Sequence, residues 1–252
     1  MVQRLLLIIT VLALNACSGG GSGSSNTNNE VTICPRVING QSCDDSGSPI
    51  VEIVSLSADG KESLCSGTAI SADKVLTAAH CFAFTTIVKA VVKAGDNVVS
   101  VKKIFIHPGL AQTKNALFND VAIIQTSKAH RAPTLPILLS QSVNSGDTVG
   151  INGYGLDEAG DLGALKGGSM KVNSVTVNHI SATFNGGGSN TCNGDSGGPA
   201  TETTAQGVGL VGLTSTGIKT DCGPGDVTLF TNLQSSDVLD FITSIVPDVG
   251  TI

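Results

Sequence analysis

Three short segments hold residue types from which a nucleophilic site can be made: Thr77-Ala78-Ala79-His80-Cys81, Asn119-Asp120-Val121-Ala122-Ile123-Ile124 and Cys192-Asn193-Gly194-Asp195-Ser196-Gly197-Gly198-Pro199. A serine hydroxyl is a poor nucleophile at neutral pH. It needs a base within hydrogen-bond reach, and the base needs a third group to fix its tautomer. His80, Asp120 and Ser196 supply those three parts, and Asp120 opens an apolar run in which a carboxylate can be buried. Taken singly, each has a plainer reading. A serine among glycines is usually a turn, and an aspartate at a strand edge is usually solvated. His107, His130 and His179 lack such neighbours and are expected to be structural or surface histidines. Asp44 and Asp45 look like a solvated loop pair. The glycines at 186–188 lack the strand–helix context of a phosphate loop.

The elements that must position these residues are strands. From Val37 onward, short β-branched runs alternate with Gly, Asp, Asn and Ser clusters, for example at 50–56, 74–76, 87–92, 98–106, 121–125, 148–152, 170–177 and 207–213. Their length and spacing suit a sandwich or barrel. Apolar residues make up 40% of the 252, so a sizeable core can form, while 31 glycines and 3% aromatics argue against a helical bundle. A stretch bounded by Pro133 and Pro136 can join two β halves. One helix is predicted near the end: Ser235, Ser236 and Asp237 offer N-caps, Val238, Leu239, Phe241, Ile242, Ile245 and Val246 give an apolar face, and Pro247 stops it. With only 14 Lys and Arg scattered along a chain of net charge −6, a nucleic-acid face is not expected. None of the seven cysteines forms a CxxC pair, which disfavours a zinc module.

From Arg36 to the terminal helix, the order His, Asp, Ser and the glycine-flanked serine segment resemble the trypsin/chymotrypsin-like serine peptidases. The resemblance implies two packed six-stranded antiparallel β-barrels with a C-terminal helix. It implies that His80 is general base and then general acid, that Asp120 orients it, and that Ser196 attacks the scissile carbonyl. The amides of Gly194 and Ser196 would form the oxyanion hole, and Gly194 can take the backbone angle this requires. Ser215 matches the serine that hydrogen-bonds the catalytic aspartate, and backbone at Ser215 and Gly217 would pair with an extended substrate. Thr216 replaces the usual Trp there. Arg36-Val37-Ile38-Asn39-Gly40 resembles the zymogen cleavage site, with Asn39 in place of the usual Gly. Cutting after Arg36 by an activating protease would free the Val37 amine to pair with Asp195.

The same resemblance places Asn190 at the base of the primary specificity pocket, where an Asp would select Lys and Arg, and puts Thr228 where a small Gly would leave the pocket open. An uncharged residue before the scissile bond is therefore expected, and so no self-cleavage at Arg36. Asp226 lies in a neighbouring loop and could point into the pocket instead. Six cysteines remaining after export allow fifteen pairings. The resemblance implies Cys65–Cys81 and Cys192–Cys222, which leaves Cys34 and Cys43 to pair with each other and retain the pro-segment. The loop between Gly95 and His107, where the family binds calcium, holds only Asp96 as an acid, so no metal and no cofactor are expected.

Residues 1–16 read as a signal peptide: Arg4, then an apolar run too short to span a bilayer. Leu14-Asn15-Ala16-Cys17 resembles a bacterial lipobox, which would lipidate Cys17, anchor the chain to a membrane and leave an even six cysteines to pair. Residues 17–36 are a Gly/Ser-rich tether and pro-segment. Its coil, from residue 18 to 33, would reach roughly 20–24 Å. The expected product is a secreted or lipid-anchored endopeptidase domain over 37–252 acting on polypeptides. The alternative is a binding module that keeps the fold without turnover.

Overall fold

The computed structural model describes residues 41–42 and 45–252. Cys17, Cys34, Arg36, Val37 and Cys43 fall outside the described residues, so the lipid anchor, the activating cut and the third disulfide rest on sequence.

The first half closes into a barrel. Its strands are β1 (Ile50–Ser57), β2 (Glu62–Ser71), β3 (Lys74–Thr77), β4 (Ile87–Ala94), β5 (Asn97–Ile106) and β6 (Ala122–Thr126), neighbouring in the order β1-β2-β3-β6-β5-β4. Every pairing is antiparallel. β1 alternates buried and half-buried residues, the period-two pattern of a strand with one face inward. Val51, Ile53, Val75, Val92 and Ile124 fill the interior.

The second half repeats the design with β7 (Thr148–Gly153), β8 (Lys166–Val175), β9 (His179–Thr183), β10 (Pro199–Thr204), β11 (Gly207–Gly217) and β12 (Val227–Asn232). The order is β8-β7-β10-β11-β12-β9, and β9 pairs back onto β8 to close the ring. Gln41–Ser42 adds a short edge against Gly167 and Lys166. Ile151, Met170, Ile180, Val211 and Phe230 lie inside. Among the described residues no helix is long and apolar enough to cross a membrane.

A third apolar cluster lies where the barrels meet. Leu76 and Ile123 of the first barrel meet Leu210 and Leu213 of the second, with Leu135 and Ile137 from the connecting segment and Val238 and Ile242 from the terminal helix. That helix, α2 (Ser236–Ile245), buries Val238 and Ile242 as its period predicts. Ser235 holds the N-cap position but its hydroxyl makes no capping bond, so the helix starts on packing rather than on its cap.

β2, β9, β10 and β12 are strands beyond the eight runs that the sequence pattern marks. β2 carries Ser66, Gly67 and Thr68 in its middle, a poor strand by composition. Ser66 and Thr68 are fully buried there. The Ser66 hydroxyl donates to the Gly194 carbonyl (2.9 Å) and accepts from the Tyr154 amide (2.9 Å), so the polar strand holds the serine loop.

Candidate active site

His80 starts the one-turn helix α1 (His80–Ala83) just after β3, and Asp120 precedes β6. The Asp120 side chain is fully buried. Its Oδ2 meets His80 Nδ1 at 2.8 Å, and its Oδ1 accepts the His80 backbone N–H at 2.8 Å. Two contacts from one carboxylate fix both ring and backbone of the histidine. Ser215 Oγ donates to the same Oδ2 at 2.5 Å, and Thr231 Oγ1 donates to the Asp120 carbonyl at 3.1 Å. Burial pushes the Asp120 carboxyl up, but hydrogen bonding and charge from His80, with the Ser215 bond, outweigh it and hold the group below the usual carboxylate range.

Ser215 reaches Asp120 because of a bulge. On β11, Thr214 pairs with Phe230 and Thr216 with Leu229, so Ser215 is the extra residue. A bulge re-aims a side chain. Asn119 takes a left-handed conformation (φ 50), which Asn tolerates better than most residues. Its amide donates to Asp237 Oδ2 on α2 at 2.9 Å, tying the turn before Asp120 to the terminal helix.

Ser196 lies in the loop before β10 and lines the same cleft, of ≈ 240 Å³, as His80. The loop is tightly held: Ser66 N–H donates to the Ser196 carbonyl (2.8 Å), Gly197 N–H to Thr214 (2.7 Å) and Gly198 N–H to Asp195 (2.8 Å). Gly194 and Gly197 have φ of 101° and 79°, where a side chain is strained, and a Cβ on Gly197 would lie 2.1 Å from Thr77 Oγ1.

Asp195, beside the nucleophile, is wholly buried. Its carboxylate accepts the Gly155 amide at 2.9 Å and the Cys192 amide at 2.8 Å. Burial pushes its pKa up to about 7, with those amides and the more distant Lys166 charge pulling the other way. Among the described residues it has no ion-pair partner; Lys166 pairs with Asp157 instead.

The specificity wall departs from the expectation. Asn190 and Thr228 are buried but stand behind the cleft lining, whereas Thr191 and Asp226 face it. Asn190 Nδ2 donates to the Cys222 carbonyl and to Asp226 Oδ2, each at 3.0 Å. Thr228 Oγ1 donates to Asn190 Oδ1 at 3.0 Å and lies 2.8 Å from Thr191 Oγ1. Their polar groups are consumed within the wall. Asp226 Oδ1 accepts the Lys219 amide at 2.9 Å, and no described cation pairs with the carboxylate. A Cβ on Gly217 would lie 2.9 Å from Asp226 Oδ2, so a side chain at 217 would press on that carboxylate, which is itself only 1% exposed. Asp226 is the one carboxylate among the residues lining the cleft, which Lys219 lines as well.

Cys65–Cys81 and Cys192–Cys222 are both disulfide-bonded. Cys65, His80 and Cys81 form the one three-residue group of potential metal ligands among the described residues. Its sulfurs are joined to each other and its imidazole is bonded to Asp120, so it is not a usable ligand set. His107, His130 and His179 each place a ring nitrogen on a backbone carbonyl, of Asp237, Ser71 and Leu117 respectively, and serve packing. Ser66 and Thr231 support the site without a sequence signal of their own; their roles come from partners distant in the chain.

Two closed antiparallel barrels with His80, Asp120 and Ser196 at their junction define the two-barrel serine-peptidase class. The chain belongs to the trypsin family, whose pattern matches residues 37–242. It is 29% identical to Trypsin I-P1 of Gallus gallus over 188 residues, covering 65% of this chain and 73% of the relative. It is 26% identical to Trypsin 5G1 of Aedes aegypti over 86% of this chain and 90% of that one. It is 29% identical to Kallikrein 1-related peptidase b8 of Mus musculus over 79% and 85%. Among solved structures, one titled HL collagenase superposes with a TM-score of 0.70 at 21% identity, covering 84% of this chain and 99% of that one, which speaks to the fold.

Proposed function

We propose that the chain is a serine endopeptidase made as a precursor. The observation that carries this is the Asp120 carboxylate, bonded at once to His80 Nδ1 and Ser215 Oγ, behind a cleft that His80 shares with Ser196. His80 Nε2 takes the Ser196 proton as Oγ bonds to the peptide carbonyl carbon. The Gly194 and Ser196 amides stabilise the resulting oxyanion. The C–N bond then breaks, His80 returns the proton to the leaving amine, and water hydrolyses the acyl-enzyme by the same route.

The cut after Arg36 activates the chain by supplying the ammonium of Val37 to Asp195. The support is a buried carboxylate with two amide partners, no described cation, and a pKa raised to about 7. A buried charge without a counter-charge is costly, so the new ammonium would lock the oxyanion loop.

The primary pocket takes a lysine or arginine side chain, with Asp226 as its counter-ion. Asn190 holds the carboxylate in place, and Asp226 lines the cleft beside Gly217. A basic preference would let the enzyme cut its own Arg36. Cys17, if lipidated, anchors the precursor to a membrane, and a Cys34–Cys43 bond keeps the cleaved domain attached.

The test is cleavage of a peptide library by the Arg36-cut protein. Scission after Lys and Arg, lost in Ser196→Ala, supports the reading. No cleavage by an intact, cut protein contradicts it and favours the silent binding module.

A further inference from the structure

A second recess, of ≈ 390 Å³, lies between the segment leading into β7 and strand β10. Gln141, Ser142, Asn144, Asp147 and Thr148 line one bank, and Glu202 and Thr203 the other. Every one of these side chains carries an oxygen, and none is basic or apolar. None of them lines the catalytic cleft.

Glu202 is only 6% exposed. Its Oε2 accepts from Gln141 Nε2 at 3.0 Å, while Oε1 is buried with no hydrogen-bond partner. Burial pushes the carboxyl up, the Gln141 bond offsets part of that rise, and the nearby Asp147 charge adds a smaller upward push. Asp147 Oδ2 accepts the Asn144 amide at 2.7 Å. Neither carboxylate has an ion-pair partner among the described residues. The chain offers little help: from residue 133 onward it has eleven acidic residues against three lysines. Lys166 pairs with Asp157, Lys219 turns to the Pro224 carbonyl, and Lys171 lines a different recess. A buried carboxylate oxygen without donor or cation calls for an explanation, and a bound ion is one that the all-oxygen lining can accommodate.

We propose that this recess is a divalent-cation site suited to Ca²⁺, with Glu202 and Asp147 supplying the charge and neutral side-chain oxygens completing the shell. Ca²⁺ accepts irregular shells of six to eight oxygens, whereas Mg²⁺ demands near-octahedral order. Gln141 is exposed, so its amide can turn over and present oxygen in place of nitrogen. Two carboxylates put the site in the weak class, with Kd on the order of 10⁻⁴–10⁻³ M. Occupancy would tie the segment before β7 to β10 and stabilise the second barrel without touching the catalytic residues.

The test is thermal unfolding of full-length Ser196→Ala protein, which cannot digest itself, in EDTA and then across roughly 0.1–10 mM CaCl2 at constant ionic strength. A saturable rise in Tm of about 3–6 °C is expected. The rise is lost in Glu202→Gln and in Asp147→Asn. No rise in the parent, or an undiminished rise in either variant, overturns the proposal. Should Glu202→Gln fail to fold, Asp147→Asn at the half-buried carboxylate decides alone.

Discussion

Asn190 donates its side-chain amide to Asp226 across 3.0 Å, so a neutral residue behind the wall orients the carboxylate that faces the cleft. Under the proposed reading, the charge that would select a basic substrate is carried by Asp226 and not by the neutral Asn190 behind it.

Asp226→Asn keeps the shape and removes the charge. A lysine or arginine entering that pocket then lacks its counter-ion, a loss of about 3–5 kcal/mol for a buried pair broken from one side. The expected result is a fall in kcat/KM of roughly 10²–10⁴ for peptidyl-arginine amides, with uncharged substrates little affected. Equal losses on both substrate types would point to a folding role for Asp226 instead.

The pocket marks the limit of what the sequence made legible. The His80, Asp120 and Ser196 segments could be read because their chemistry is written in consecutive residues, and the β-branched runs marked eight strands of the barrels. Asp226 could not be settled, because the direction of its side chain depends on how the loop after Cys222 folds back against Lys219. Ser66 and Thr68, either side of Gly67, carry no apolar strand signal in their residue types. The bonds that Ser66 makes to Gly194 and Tyr154, 128 and 88 positions away, explain its burial in a strand, whereas the buried Thr68 hydroxyl has no hydrogen-bond partner.

In the proposed mechanism Ser215 acts through Asp120 as a positioning residue. Ser215→Ala removes a charge-assisted bond of about 1.5–3 kcal/mol, and kcat should drop roughly 10- to 100-fold with KM nearly unchanged. Asp120→Asn should cost more, about 10⁴-fold, because His80 loses its tautomer. Steady-state kinetics on one peptide amide separates the two. A change confined to KM in Ser215→Ala would argue that the residue serves substrate binding alone.

Asp195 and Asp120 give opposite pH signatures. In the uncut chain Asp195 keeps its proton up to about 7, whereas the unfolded chain releases it near 3.8. Between those values the folded state binds the extra proton, so stability falls as pH rises through that window, by a few kcal/mol in order of magnitude. Asp120, held low, contributes stability above its unfolded value that is lost as pH falls below about 4. Urea melts of the Ser196→Ala precursor should weaken from pH 4.5 to pH 7.5, bracketed by roughly these pKa values. The Arg36-cut form should not weaken, since the Val37 ammonium favours charged Asp195. Parallel pH curves for both forms would remove the activation argument.

Gly197→Ala forces a Cβ against Thr77 Oγ1 and a side chain into a left-handed conformation. A destabilisation of at least about 2–4 kcal/mol is expected. Gly207 also has positive φ, but nothing lies within 4 Å of its added Cβ. Gly207→Ala therefore carries only the backbone strain, about 1–3 kcal/mol. Chemical denaturation of both variants checks the order, and equal losses would mean that the Thr77 contact does not decide the difference.

The central claim is that Ser196 is an activated nucleophile, and a fluorophosphonate probe tests it most directly. After cleavage at Arg36, the account predicts one covalent adduct, mapped by mass spectrometry to Ser196, which is absent in Ser196→Ala and strongly reduced in His80→Ala. A folded, Arg36-cut protein that takes up no probe, or takes it up on another residue, would contradict the account.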